Sequence, residues 1–229
     1  MKAGLPFVYL NLASTADGKI APTKERYVGF SSPRDLEHLL ELRTEADAVM
    51  SGARTINSFP MDLGPGGSKY RKVRLKNGLA EYALRVVVSG SGNVDPDAEI
   101  FKHRFSPIII LATERAGKKL KRLREIADAV ETFGEMDLDF TTALRWLKKK
   151  WKVNRLLCEG GGELNAALFH AKLVNELHLT ISPVIFGGRD APTLADGEGV
   201  ENLADATQLK MKSMKRVGDE LFLVYEVLP

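Results

Sequence analysis

The stretch Leu156 to Leu164, LLCEGGGEL, constrains this chain more than any other. An apolar strand ends in an acid, and three glycines then lead directly into a helix. Without side chains, those glycines leave the N–H groups at the helix N-terminus open. The N–H groups and the helix dipole together favour an anion such as a phosphate. The same pattern also serves as a tight strand-to-helix turn with no ligand. In open α/β sheets, ligands gather at the carboxyl ends of strands, which is where this turn lies.

The rest of the chain repeats that alternation. Residues 6 to 14 have strand periodicity, and Asp17-Gly18 follows as a turn. Ser32-Pro33 opens a helix with a favoured N-cap and a proline tolerated at the first position. Leu36, Leu39, Leu40 and Arg43 share one face of it, and a buried strand, Asp47 to Ser51, ends at Gly52. Residues 60 to 79 are rich in Pro and Gly and then basic from Lys69 to Lys76, which predicts a long functional or mobile loop. Leu84 to Ser89, Pro107 to Leu111, Ala129 to Phe133 and Arg155 to Glu159 are short strands. Ala116 to Ile126 and Thr141 to Trp151 are amphipathic helices, the second capped by Asp139. A helix, Leu164 to His170, follows the glycines, and Leu177, Leu179 and Ile181 alternate with His178, Thr180 and Ser182 as a strand with one buried face. Leu209 to Val217 and Leu221 to Leu228 flank a Gly218-Asp219 turn as a closing hairpin. Alternating strands and helices favour parallel pairing, while the hairpin adds antiparallel edge strands. The expectation is one α/β domain, residues 1 to 229, with a mixed sheet.

Composition removes whole classes. Of 229 residues, 44% are hydrophobic, and 33 Lys+Arg against 30 Asp+Glu leave a net charge of +3. That excludes intrinsic disorder and gives no argument for nucleic acid. The longest apolar runs fall far short of the roughly 20 residues of a membrane span. Met1 to Phe7 does not read as a signal peptide. One cysteine, Cys158, rules out an internal disulfide and reads as core packing. Four histidines without metal-ligand spacing leave no metal site to expect.

Neither a G-x-G-x-x-G dinucleotide fingerprint, a phosphate-loop motif nor a G-x-S-x-G elbow is present. Glu159, at the mouth of the glycine turn, suits either proton transfer or the helix dipole. Asp17 before Gly18 suits a turn or a ligand. Asn11, polar in an apolar strand, needs a partner if buried. Arg43, on the apolar side of its helix, calls for an anion or a carbonyl, with Asp47 as one possible partner.

Together these pieces resemble the pyrimidine reductases of riboflavin biosynthesis, found as the C-terminal half of a bifunctional deaminase–reductase and as free-standing enzymes. The carriers are Ser14 to Lys19 (S-x-x-D-G-K), Ser32-Pro33, LRTEADAVMSGART from Leu42 to Thr55, and Cys158 to Gly188, CEGGGELNAALFHAKLVNELHLTISPVIFGG. The resemblance implies a dihydrofolate reductase-like fold, with a mixed, mostly parallel central sheet flanked by helices and a C-terminal antiparallel hairpin. It implies a cytoplasmic homodimer that uses NADPH. The implied reaction opens a ribosylaminopyrimidine 5′-phosphate to an imine and adds hydride at C1′ of the sugar. Cofactor contacts would come from Ala13, Thr55, Ser89, Gly90, Gly161, Gly162, Glu163, Leu164 and Asn165. Substrate contacts would come from Asn11, Asp17, Arg43 and Glu159, with Asp17 and Glu159 handling protons or holding sugar hydroxyls.

The chain departs from the family after Thr55, where INSFPMDL puts Ser58 and Phe59 in place of an acidic pair. Gly64 to Gly67 stand where the family has an arginine-bearing segment, for which Arg71 or Arg74 would substitute. The departure admits a same-fold NADPH reductase acting on another pterin- or pyrimidine-like substrate, or a nucleotide-binding module without catalysis. Asp17, Arg43 and Glu159 speak against the last.

Overall fold

The computed structural model describes residues 3–24 and 29–229. The sequence expectation for the N-terminus rests partly on residues 1–2, outside the described residues. The chain divides into two compact units, one of Met1–Phe7 and Leu40–Leu157, the other of Val8–Leu39 and Cys158–Pro229.

In the first unit, parallel strands alternate with helices. β2 (Ala48–Gly52), β3 (Leu84–Val88), β4 (Ile108–Ala112) and β5 (Ala129–Thr132) pair in sequence order, and β6 (Arg155–Cys158) follows β2 on the other side. The register sets Met50 beside Val86, Val86 beside Ile109 and Ile109 beside Ala129. All five residues of β4 are buried. An uninterrupted apolar run suits a strand covered on both faces, and each buried Ile stabilises the unit by about 1.5–3 kcal/mol. The helices are the end of α1 (Pro33–Arg43), α2 (Ala53–Ser58), α3 (Ser68–Lys76), α4 (Glu99–Lys102), α5 (Lys119–Ile126) and α6 (Phe140–Trp151). Asp139 caps α6 by accepting from the Thr142 amide at 3.0 Å.

Several expectations need correction here. The basic half of the predicted loop is helix α3: Gly67 is its N-cap, and its Lys and Arg residues are good helix formers. The predicted helix from Ala116 is interrupted, because Gly117 takes a positive φ of 52° after a single turn at Glu114–Ala116, and α5 starts at Lys119. On α1, Leu36 is 56% exposed while Asp35, Leu42 and Arg43 are buried, so the four-residue apolar face does not form as read.

In the second unit, β1 (Phe7–Thr15) lies parallel to β7 (Glu176–Ser182), with Asn11 beside His178 and Ala13 beside Thr180. β9 (Glu220–Val227) runs antiparallel to β7 and to β8 (Leu209–Val217), forming the predicted hairpin. Helix α7 (Gly162–His170) starts two residues earlier than the hydrophobic pattern indicated. On β7 the polar residues His178, Thr180 and Ser182 are buried, while Leu179 and Ile181 are only half-buried. Hydrogen bonding accounts for this: Ser182 donates to Glu220 at 3.0 Å, and His178 meets Glu176 at 2.7 Å. Glu220 also accepts the Ser32 amide at 2.8 Å and the Ser32 hydroxyl. Among the described residues, no helix is long and apolar enough to cross a membrane.

Candidate functional site

The second unit gathers two of the expected segments, Asn11 to Asp17 and Glu159 to Asn165. Asn11 is 7% exposed, and its Oδ1 has no hydrogen-bond partner. A buried amide oxygen without a donor costs roughly 1–3 kcal/mol, so this position suits a donor from a ligand. Ala13, half-buried, lies two residues further along the same strand.

Both carboxylate oxygens of Asp17 accept hydrogen bonds from the chain itself. Its Oδ1 accepts from the Thr15 hydroxyl at 2.5 Å and the Phe186 amide at 3.2 Å, and its Oδ2 from the Gly187 amide at 2.7 Å. The Thr15 hydroxyl, with the two amides, holds the carboxyl below its ordinary range against the opposing effect of burial. Asp17 is therefore an ionised acceptor at neutral pH and a poor proton donor.

Glu159, half-buried, stands one residue past β6, and the glycine turn follows. Gly161 is the N-cap of α7 and offers no side-chain cap, so the amides of Gly162 and Leu164 and the helix dipole suit an anion. Gly162 has a second reason to be glycine. A Cβ there would stand 2.2 Å from Asp196 Oδ2 and 2.5 Å from the Thr193 carbonyl. Asn165 is fully buried and donates to the Leu194 carbonyl at 2.8 Å, while Cys158 Sγ lies 3.7 Å from its Oδ1. Burial pushes the Cys158 thiol up to about 12, consistent with its expected packing role.

Residues 190 to 196 were missed as part of this assembly. Thr193 donates to Asp196 Oδ1 through its amide at 2.9 Å and its hydroxyl at 2.6 Å, and the Asp196 amide donates to the Gly162 carbonyl at 3.1 Å. The available signal was Asp196-Gly197, a turn pair whose acid reaches back to a nearby amide.

Arg43, Thr55, Ser89 and Gly90 belong to the first unit. Thr55 follows β2 and Ser89-Gly90 follow β3, so the three stand after the carboxyl ends of adjacent parallel strands. Arg43 precedes β2. It donates to the Gly64 carbonyl, and Asp47 instead accepts the Asn154 and Arg155 amides at 2.8 and 2.9 Å. The basic segment gives no open phosphate site at the two positions expected to substitute. Arg74 is buried and donates to the carbonyls of Ala80, Arg43 and Ala46, and Arg71 pairs with Glu81 and Tyr82. Among the described residues, no cluster of three or more His, Cys, Asp or Glu is placed to hold a metal.

The sequence matches the RibD C-terminal domain over residues 6–223, nearly its whole length. The chain belongs to that family. A protein of Methanothermobacter thermautotrophicus named 2,5-diamino-6-ribosylamino-4(3H)-pyrimidinone 5′-phosphate reductase is 32% identical over 229 residues, covering 97% of this chain and 98% of the relative. The protein of that name from Archaeoglobus fulgidus is 30% identical over 214 residues, covering 93% and 94%. The solved structure of Acinetobacter baumannii RibD matches all of this chain and 60% of its own, with a TM-score of 0.80 at 18% identity. At that identity the likeness shows the fold, and the expected mixed, mostly parallel α/β architecture with antiparallel closing strands is the one found.

Proposed function

We propose that this chain is a reductase of riboflavin biosynthesis that adds hydride from NADPH to C1′ of 2,5-diamino-6-ribosylamino-4(3H)-pyrimidinone 5′-phosphate. Support for the substrate comes from the two relatives, covered over nearly their whole length, that are named reductases of this compound; NADPH and attack at C1′ come from the family resemblance. One observation in the structure carries it further. The start of α7, which has no side-chain N-cap, lies two glycines beyond Glu159, in the same unit as the unpartnered acceptor of Asn11.

These groups fit a nicotinamide dinucleotide phosphate and an amino-bearing substrate. First-turn amides of α7 suit a phosphate, and Asn11 Oδ1 suits an N–H or O–H donor. The cofactor supplies the hydride. Glu159 is assigned the proton that the substrate nitrogen must gain or the sugar hydroxyls that must be held. Ala13 and residues Gly161 to Asn165 are the cofactor side in this unit. The resemblance alone carries the assignments of Thr55, Ser89 and Gly90 to cofactor and of Arg43 to substrate.

We take residues 1 to 229 as one reductase domain that works as a homodimer in the cytoplasm. For the dimer, the support is the closing hairpin, where β8 exposes Leu209, Met211 and Met214, and β9 leaves Phe222, Val224 and Tyr225 half-buried. An NADPH-oxidation assay with the diamino substrate and its deaminated counterpart tests the activity. Saturable NADPH binding with turnover of the diamino compound is the expected result. Binding of neither NADPH nor NADH would overturn it.

A further inference from the structure

Asp17 sits in a motif that invites a catalytic role, yet its contacts point elsewhere. Both carboxylate oxygens hold one segment of the chain, at Phe186 and Gly187. That segment stays tied to the same turn as it continues. The Ala16 amide donates to the Val184 carbonyl at 2.9 Å, Lys19 Nζ to the Ala191 carbonyl at 3.0 Å, and the Ile20 amide to the Pro192 carbonyl at 2.9 Å. Lys19 also forms an isolated antiparallel bridge with Thr193.

From Thr193 onward the segment rests on the glycine turn. Asp196 and Thr193 occupy the space a side chain on Gly162 would need, and the Leu194 carbonyl takes the Asn165 amide. We infer that Asp17 is a positioning residue: it anchors the segment 184–196, and that segment sets the start of α7, from Gly161 to Asn165, in its ligand-binding geometry. No substrate or cofactor contact is required of Asp17. The inference rests on the proposed nicotinamide site only for its binding readout.

An amide in place of the carboxylate keeps size but presents a donor to one of two backbone donors. Asp17→Asn should therefore speed hydrogen exchange at Phe186 and Gly187 and at the bonded amides of Ala191 and Thr193. NADPH dissociation constants from fluorescence titration should rise about tenfold. Turnover at saturating NADPH should stay within about threefold of the parent, since the reacting groups remain.

A fall in turnover of about a hundredfold, with exchange and NADPH affinity unchanged, would assign Asp17 to the chemistry instead. Unchanged exchange, affinity and turnover would remove it from both roles. Should Asp17→Asn fail to fold, Thr193→Val tests the other end of the segment. It breaks the hydroxyl link to Asp196 without touching Asp17, and it should weaken NADPH binding while sparing turnover; unchanged affinity would overturn the inference. If the parent protein binds no nicotinamide nucleotide, the proposed function fails while the exchange result still decides the anchoring role of Asp17.

Discussion

Asp196 stands where a side chain on Gly162 would have to go, with Oδ2 2.2 Å from the position of a Cβ. The contact leaves no room for a side chain at the third glycine of the turn, even before a ligand is considered. Gly162→Ala should push residues 193 to 196 off the start of α7. The expected loss is about 1–3 kcal/mol of stability, read from urea midpoints. Gly199→Ala meets nothing within 4 Å and should change stability by less than about 0.5 kcal/mol. Equal effects at the two positions would contradict the contact.

Arg74 lies on a basic helix yet is 1% exposed, and it donates to the carbonyls of Ala80, Arg43 and Ala46. Replacement by Met keeps much of the volume and leaves those acceptors without their donor. Arg74→Met should cost roughly 3 kcal/mol, visible as a lower urea midpoint with an unchanged slope. A wild-type midpoint would show that water replaces the guanidinium without loss.

Glu176 sets an acid limit on stability. Burial pushes its carboxyl up, but hydrogen bonds from Lys212 and His178 outweigh that and hold it below the ordinary value of 4.5. A lowered folded-state pKa contributes stability that is present above the unfolded value and is lost as pH falls through the folded one. The parent should therefore lose stability below pH 4.5 more steeply than Glu176→Gln, as read from urea midpoints at pH 6 and in steps below 4.5. Parallel acid limbs in the two proteins would exclude Glu176 as a contributor.

Cys158 should be silent to thiol reagents in the native protein. Its side chain is fully buried, and burial raises its thiol to about 12, so almost no thiolate is present at pH 8. Labelling should require unfolding and proceed at the opening rate. Rapid stoichiometric labelling in native buffer would contradict that burial.

Elements governed by local pattern were legible in the sequence. The run Ile108 to Ala112 forms a covered strand, Asp139 caps α6, and the Gly218-Asp219 turn closes the β8–β9 hairpin. Features decided by distant partners were not. Helix α3 reads as loop because it follows a Pro- and Gly-rich stretch and five of its nine residues are basic, and what buries Arg74 is a set of carbonyls up to 31 residues away. Buried polar positions on β7 escaped for the same reason, since Glu220 accepts from Ser182 across 38 residues. The candidate site divides similarly. The glycine turn and Asn11 could be read from type and position, whereas the link from Asp17 to Gly187 spans 170 residues and carries no local signal.

Turnover of 2,5-diamino-6-ribosylamino-4(3H)-pyrimidinone 5′-phosphate, followed as NADPH oxidation at 340 nm (a wavelength set by the cofactor), tests the proposed activity most directly. The parent should consume NADPH in step with ribityl product, and Glu159→Gln should lower turnover by about 10²–10⁴ while NADPH still binds. Saturable NADPH binding without oxidation in the presence of this substrate would contradict the assignment.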